Sequence, residues 1–346
     1  MLSATQLFLI SSTILGTLIT IMSNHWFLAW VGLEVNTLAF IPLIAMKQHP
    51  RAIEAAIKYV LAQATASAVI LFSAFTNALA HGEWDILYVS PPMAISLSLA
   101  LCMKLGLAPF HSWYTDVLQG IPLTMGLLLS TWQKIAPMAL LIQISNVTNF
   151  TIMILLGVLS IFIGGWGGIN QTQLRKILAY SSIAHMGWMI VVLKFSAPLA
   201  MLTFITYIMI TLALFLNIIV LNMTTLTRFS TAWSKSPALT TTTLLILLST
   251  AGMPPLTGFM PKLLISLELV KTSPLLVSLL FLISLLSLYF YLRMIYTIIL
   301  TISPLVSPHT TTWRPTQKLP PLTPAVNTLA IMLLPLTPTT LSLIYL

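Results

Sequence analysis

Apolar runs long enough to cross a bilayer follow one another along almost the whole of this 346-residue chain. In hydrocarbon every backbone donor and acceptor must be satisfied within the protein, so only helices and closed barrels can span it. The runs are about 20 residues long and lack the alternation of barrel strands, which makes them helices. Only 6% of residues are charged, and the longest polar stretch, near 303–324, is too short for a soluble domain. Much of the polar content is Ser and Thr, whose hydroxyls can bond their own helix backbone.

The expected architecture is therefore an all-α polytopic membrane protein, a single membrane domain over 1–346. About eleven transmembrane helices are expected, near 3–22, 26–46, 56–79, 91–119, 122–143, 149–168, 174–194, 197–223, 237–271, 274–301 and 324–345. The fourth and ninth are too long and too interrupted to be straight. Glycine and proline break helices, so these two read as half-helix pairs, broken at Gly106 and Pro109 and at Gly252, Pro254, Pro255 and Gly258. The breaks lie five helices apart, and a shift of 146 residues lays Pro109 on Pro255. A five-helix unit repeated once takes opposite orientations in its two copies, because five is odd. The expected organisation is two inverted five-helix repeats, 1–145 and 146–301, with 302–346 forming a loop and a C-terminal lateral helix. Interrupted segments at matching places in inverted halves point to the ion path of a transporter.

The net charge of +9 does not imply a nucleic-acid partner, because the basic residues are scattered and no five-residue basic cluster exists. Sorting loop charges by side puts Lys47, Arg51, Arg175, Lys176, Arg228, Lys235, Arg314 and Lys318 with the N-terminus, against Lys194 and Lys271 opposite. That bias places the N-terminus inside, and an odd number of spans then places the C-terminus outside. The single Cys102 excludes a disulfide framework or an iron–sulfur cluster held within this chain. The six histidines show no zinc spacing, so no metal or cofactor ligands are expected. Without a basic n-region or a cleavage site, the first apolar run reads as a mature span rather than a signal peptide.

Five basic side chains fall within spans: Lys58, Lys104, Lys134, Lys262 and Arg293. Lys58 and Arg293 lie near enough to span ends to snorkel, and Glu54 and Lys58 are spaced as a helix-surface pair. Lys104 and Lys134 lie much deeper, at about 18 Å from the nearer end at helical rise. Each deep lysine costs roughly 2.5–3.5 kcal/mol on insertion scales. Three unpaired would cost ~8–10 kcal/mol, comparable to the stability of a whole domain. A wet or paired interior is the expected solution. Glu34 is the one acid deep in an uninterrupted early span, so it is the expected partner of Lys104; separating the two would release a proton toward Lys134. Lys104 could bond carbonyls at the end of its own half-helix, while Lys262, just past the second break, faces a different terminus. His111 and His185 either bond neighbouring carbonyls or link the lysines as relays. Glu268 reads as a rim residue beside Lys271, and Gly164 to Gly168 as a site of close helix approach.

Several segments also resemble a known family. Leu174-Arg175-Lys176-Ile177-Leu178-Ala179-Tyr180-Ser181-Ser182-Ile183-Ala184-His185-Met186-Gly187 is similar to the signature of the proton-antiporter-like membrane subunits. Leu107 to Trp113 and Gly252 to Phe259 resemble that family's two broken-helix segments, and Glu54 to Tyr59 adds to the match. The whole chain resembles the vertebrate branch that serves mitochondrial NADH:ubiquinone oxidoreductase, respiratory complex I. The resemblance implies a core membrane-arm subunit of a proton-translocating enzyme, multi-pass in the mitochondrial inner membrane, its N-terminus on the matrix side and its C-terminus on the intermembrane-space side. It implies partners among the other membrane-arm subunits, neighbouring antiporter-like ones included, and membrane lipids such as cardiolipin. NADH, FMN, iron–sulfur clusters and ubiquinone would all be bound elsewhere in the complex. Glu34, Lys104, Lys134 and Lys262 fall at the family's key carboxylate and central lysines. Family members commonly have fourteen helices, and the count here falls three short at the N-terminus. Two other readings remain open on the residues alone: a stand-alone cation/proton antiporter, and a structural spacer.

Overall fold

Each apolar run becomes helix, and serine and threonine hydroxyls in them are satisfied locally. Thr13, Thr17 and Thr20, for example, donate to carbonyls three residues back at 2.7–2.8 Å. The computed structural model describes residues 4–46, 49–234, 236–300, 322–336 and 342. Among them the secondary structure is helical apart from two isolated β-bridges. Among the described residues eight helical stretches, one of them the interrupted Leu123–Gln143, are long and apolar enough to cross a membrane, and three shorter apolar helices join them. The chain divides into two compact units, Met1–Ser160 and Ile161–Leu346.

The first unit contains α1 (Ala4–Met22), α2 (Trp26–Ala45), α3 (Pro50–His81), α4 (Pro91–Leu105), α5 (Ser112–Gly120), α6 (Leu123–Ser130) and α7 (Ile135–Gln143). Helices α1 and α2 meet through glycines: a Cβ on Gly16 would lie 2.8 Å from the Gly32 carbonyl oxygen, so the backbones approach as small residues allow. Next to α2 lies α3, which also packs on α4 and α5. His25 and His49 cap α2 and α3, each accepting a backbone N–H at 3.2 Å.

The second unit follows α8 (Phe150–Ile169) with α9 (Leu174–Leu193), α10 (Ala197–Leu221), α11 (Leu226–Ser230), α12 (Pro237–Ala251), α13 (Phe259–Val270), α14 (Pro274–Ile299) and α15 (Leu322–Met332). Within it α10 packs against α9, α12, α13 and α15, and α14 against α12 and α13. Each unit fastens its loops with a bridge at the same place in its helix order, His25 to Asp85 in the first and Gln173 to Thr225 in the second.

Both expected breaks are present and share one chemistry. Helix α4 stops at Gly106 (φ 74°) and α12 at Gly252 (φ 86°), in the left-handed region that glycine enters without steric cost. At the first, Leu107 N–H donates to the Cys102 carbonyl at 3.0 Å; at the second, Met253 N–H donates to Leu248 at 3.2 Å. This is the Schellman closure, and it satisfies carbonyls that lipid would leave bare. The Ala108–Pro109 peptide that follows the first is cis.

The fifth expected span is present as Leu123–Gln143, but it is interrupted. Residues 122–143 read as one helix, but α6 and α7 are separated by a 3-10 turn, Trp132–Lys134. Pro137 explains the interruption: it offers no N–H and its ring crowds the carbonyl four residues back, that of Gln133. Of the last expected span, 324–345, α15 and a short turn at Leu334–Leu336 are described; most of its remainder and the loop before it lie outside the described residues, as do Lys47, Lys235, Arg314 and Lys318.

The closures are testable against each other. Gly82 also has positive φ, and a Cβ there would meet nothing within 4 Å, whereas one on Gly106 would lie 2.9 Å from the Tyr114 Cβ. Gly82→Ala should cost about 1–2 kcal/mol from backbone conformation alone, and Gly106→Ala about 1–3 kcal/mol more from overpacking. Thermal midpoints of the purified assembly carrying each variant check the order.

Candidate functional site

Two of the three deep lysines meet in the first unit. Lys104 closes α4, and Lys134 stands at the break that Pro137 imposes, 5% and 3% exposed respectively. Both line one small cavity with Tyr59, Gln63, Trp113, Tyr114 and Gln133; at about 10 Å³ it is on the scale of a single water molecule.

The Lys104 amine does not cap its own half-helix. The final carbonyls of α4 are already taken: Gly106 and Leu107 bond Met103 and Cys102 at 3.1 and 3.0 Å. Trp113 Nε1 donates to Met103 at 3.2 Å, and Gln63 Nε2 to the Lys104 carbonyl at 3.3 Å. Lys104 Nζ is left without a hydrogen-bond partner among the described residues. Lys134 Nζ lies 4.6 Å from the centre of the Tyr114 ring, whose face attracts a cation.

Glu34 reaches Lys104 by charge rather than by contact. Its carboxylate acts electrostatically on both Lys104 and Tyr59. Among the described ion pairs none joins it to a lysine. Thr37 Oγ1 donates to Glu34 Oε2 at 3.1 Å. Two residues further along α2, Asn36 Oδ1 accepts from Gln133 Nε2 at 2.8 Å, and Gln133 Oε1 in turn accepts from the Tyr59 hydroxyl at 3.4 Å. A chain of neutral polar groups thus runs from the helix of the carboxylate to the wall of the lysine cavity.

His111 precedes α5, with Nδ1 3.2 Å from the Pro109 carbonyl oxygen, and is not among the cavity-lining residues. Lys58 makes more than the expected surface pair. Its Nζ lies 2.8 Å from Glu54 on its own helix and 2.8 Å from Asp116 on α5, tying the two helices together.

In the second unit Lys262 reaches back across the break, and Nζ donates to the Ala251 carbonyl at 2.7 Å, at the end of α12. That carbonyl end carries partial negative charge, so the expectations for the two lysines are exchanged: Lys262 caps a half-helix and Lys104 does not. Lys262 is half-buried and lines a groove of about 560 Å³ between α13 and α14. A Cβ on Gly258 would run into the Ser249 carbonyl, so the two half-helices meet in close contact. The Tyr291 hydroxyl lies 3.3 Å from His185 Nε2. Arg293 does not merely snorkel, since it donates to the Ile169 carbonyl at 2.6 Å and closes α8. Glu268 pairs with Lys271 at 2.6 Å on an exposed face, as expected of a rim pair.

Sequence reasoning missed Gln63, Tyr114, Gln133, Asn36 and Asp116. Gln133 carried a signal, standing four residues before Pro137 and beside Lys134. The others are polar or aromatic residues whose neighbours become visible only when helices pack.

Helical membrane units with broken helices and buried lysines define a class of ion-translocating membrane proteins, and comparison with known proteins places the chain within it. The family model for the transmembrane part of NADH:quinone oxidoreductase and Mrp antiporters matches residues 23–287, and that for the NADH dehydrogenase subunit 2 C-terminus matches 288–341. The chain belongs to the NADH:quinone oxidoreductase/Mrp antiporter membrane family. A relative from Aquarana catesbeiana, named NADH-ubiquinone oxidoreductase chain 2, is 56% identical over 342 residues, covering 98% of this chain and 99% of its own. One of the same name from Formosania lacustris is 54% identical over 340 residues, covering 97% and 98%. A chain of respiratory complex I from Thermus thermophilus superposes with a TM-score of 0.81 at 28% identity, over 97% of this chain and 79% of that one.

The Gln133 link can be broken in a controlled way. Gln133→Leu leaves the buried Asn36 Oδ1 unpaired and should cost about 1–3 kcal/mol. Adding Asn36→Leu should recover part of that loss, a non-additivity that a double-mutant cycle on thermal unfolding would register.

Proposed function

We infer that the chain is a core membrane-arm subunit of respiratory complex I, moving protons as electrons pass from NADH to ubiquinone. The observation that carries this reading is one cavity at a helix break, in a chain of this family, that joins two deep lysines, one of which, Lys104, lies within electrostatic reach of a carboxylate. Glu34, Lys104, Lys134 and Lys262 are proposed as the groups that hold and pass the proton, with His185 and His111 in support. Redox energy released elsewhere alters charge along this row; NADH, FMN, iron–sulfur clusters and ubiquinone belong to other subunits. Residues 1–145 and 146–301 are proposed to be inverted five-span repeats within eleven spans, each carrying one glycine-closed break. Repetition of the glycine closure at Gly106 and Gly252 supports that reading.

Location in the mitochondrial inner membrane is inferred from the names of the vertebrate relatives. Arg51, Arg175, Lys176 and Arg228 support an N-terminus on the matrix side and a C-terminus on the intermembrane-space side. The exposed apolar faces, such as Leu7, Phe8 and Leu18 on α1 and Phe72 and Leu79 on α3, suit lipids, cardiolipin included, and neighbouring antiporter-like subunits. A stand-alone cation antiporter needs several acids together, whereas here Glu54 and Asp116 both serve Lys58, and Glu268 serves Lys271.

Reconstituted complex carrying Lys104→Ala tests the function. Protons moved per NADH oxidised should fall, and an unchanged ratio would leave Lys104 a structural residue. Glu34→Gln should lower the same ratio; normal pumping in that variant would remove Glu34 from the row while sparing the lysines.

A further inference from the structure

Two buried asparagines in the second unit face each other across α10 and α15. Asn327 Nδ2 donates to Asn217 Oδ1 at 3.0 Å, and the residues are 5% and 0% exposed. The other ends of both amides, Asn217 Nδ2 and Asn327 Oδ1, find no partner among the described residues. Unpaired buried polar atoms are costly, and an apolar pair here would avoid the cost. One leftover atom is a donor and the other an acceptor, on side chains already bonded to each other. That is the complement a single water satisfies, accepting from Nδ2 and donating to Oδ1. Such a water keeps a further hydrogen and lone pair for a third group.

The pair sits near one end of both helices, since α10 ends at Leu221 and α15 begins at Leu322. One turn along the same face of α15, about 4.5 Å further in at helical rise, the Ala330 carbonyl accepts from the Thr257 hydroxyl. Ser249 Oγ lies 2.9 Å from Thr257 Oγ1 and 3.5 Å from the same carbonyl. Ser249 belongs to the last turn of α12, whose Ala251 carbonyl holds Lys262. The amide pair, the two hydroxyls and the break with its lysine thus follow one another along α15 and the end of α12.

We propose that Asn217 and Asn327 hold a water at the mouth of the proton route of the second unit, and that Ser249 and Thr257 continue the route to Lys262. Helix α15 is then part of the path rather than a lateral accessory. The amides position the water and are not themselves protonated. When the Lys262 amine is neutral, a proton taken up by that water displaces another toward the hydroxyls, and the amine accepts it to become the ammonium. The proposal rests on Lys262 being a group that takes up and releases a proton, as inferred above.

Complex assembled with Asn217→Leu and Asn327→Leu together provides the test, because removing both amides orphans neither. Protons moved per NADH oxidised should fall and ubiquinone reduction should slow several-fold. Asn217→Ser with Asn327→Ser, whose hydroxyls can still hold water, should restore both. A wild-type ratio in the Leu pair would overturn the proposal, and so would equal losses in the Leu and Ser pairs, which would mark a structural clamp. Should the Leu pair fail to assemble, Thr257→Val decides, with a lowered ratio expected and a wild-type ratio overturning the route. Lys262→Ala in the same assay separates the two levels: an unchanged ratio there refutes the proton-carrying reading itself, while a lowered one beside a normal Leu pair refutes only the role of α15.

Discussion

A helix that stops inside a bilayer leaves its last carbonyls bare unless the chain itself covers them, and the arrangement of the buried charges follows from how this is done. At Gly106 and Gly252 the backbone turns left-handed and its next amides close the helix end. The two ends then treat a lysine differently. Beyond Gly252 one carbonyl, that of Ala251, remains to receive Lys262. At Gly106 the indole of Trp113 adds to the closure, and the Lys104 amine is turned instead toward the cavity it shares with Lys134. One local motif thus supports a lysine bound to a helix end and a lysine kept for another use.

The cavity is small enough to matter for mechanism. Space on the scale of one water leaves no room for a standing column of solvent between Lys104 and Lys134, so the proposed passage of a proton between them would depend on the walls of the cavity. The walls are amphipathic: Tyr59, Gln63 and Gln133 offer hydrogen bonds, and Tyr114 offers a ring face to Lys134. Glu34 acts from outside this wall, by charge rather than by contact. Lys58 sits beyond it, holding α3 to α5 and with it the segment that carries Trp113 and Tyr114.

The Gly/Pro breaks were legible because glycine and proline act on the backbone they belong to. Lys104, Lys134 and Glu34 were legible because charge in an apolar run is costly wherever it lies. The interruption of the fifth span was missed although Pro137 announced it, since a proline in a span of ordinary length does not betray itself by length. Asp116 was missed for another reason. The 146-residue shift that lays Gly106 on Gly252 also lays Asp116 on Lys262, so the repeat keeps a charge at that place and reverses its sign. In the first unit that charge answers Lys58 on α3; in the second it answers a carbonyl on α12.

By itself the chain settled that it spans a membrane as helices, where two of them break, and which lysines lie too deep for lipid, because each of these follows from covalent chemistry and hydropathy along a single segment. Only the tertiary structure decided what those charges meet. Whether Lys104 caps a helix or faces a cavity, whether Gln133 bonds Asn36, and whether α15 presents Asn327 to Asn217 depend on which helix faces lie together. Packing brings such pairs into contact across tens of residues of sequence, and no periodicity within one segment encodes its neighbour.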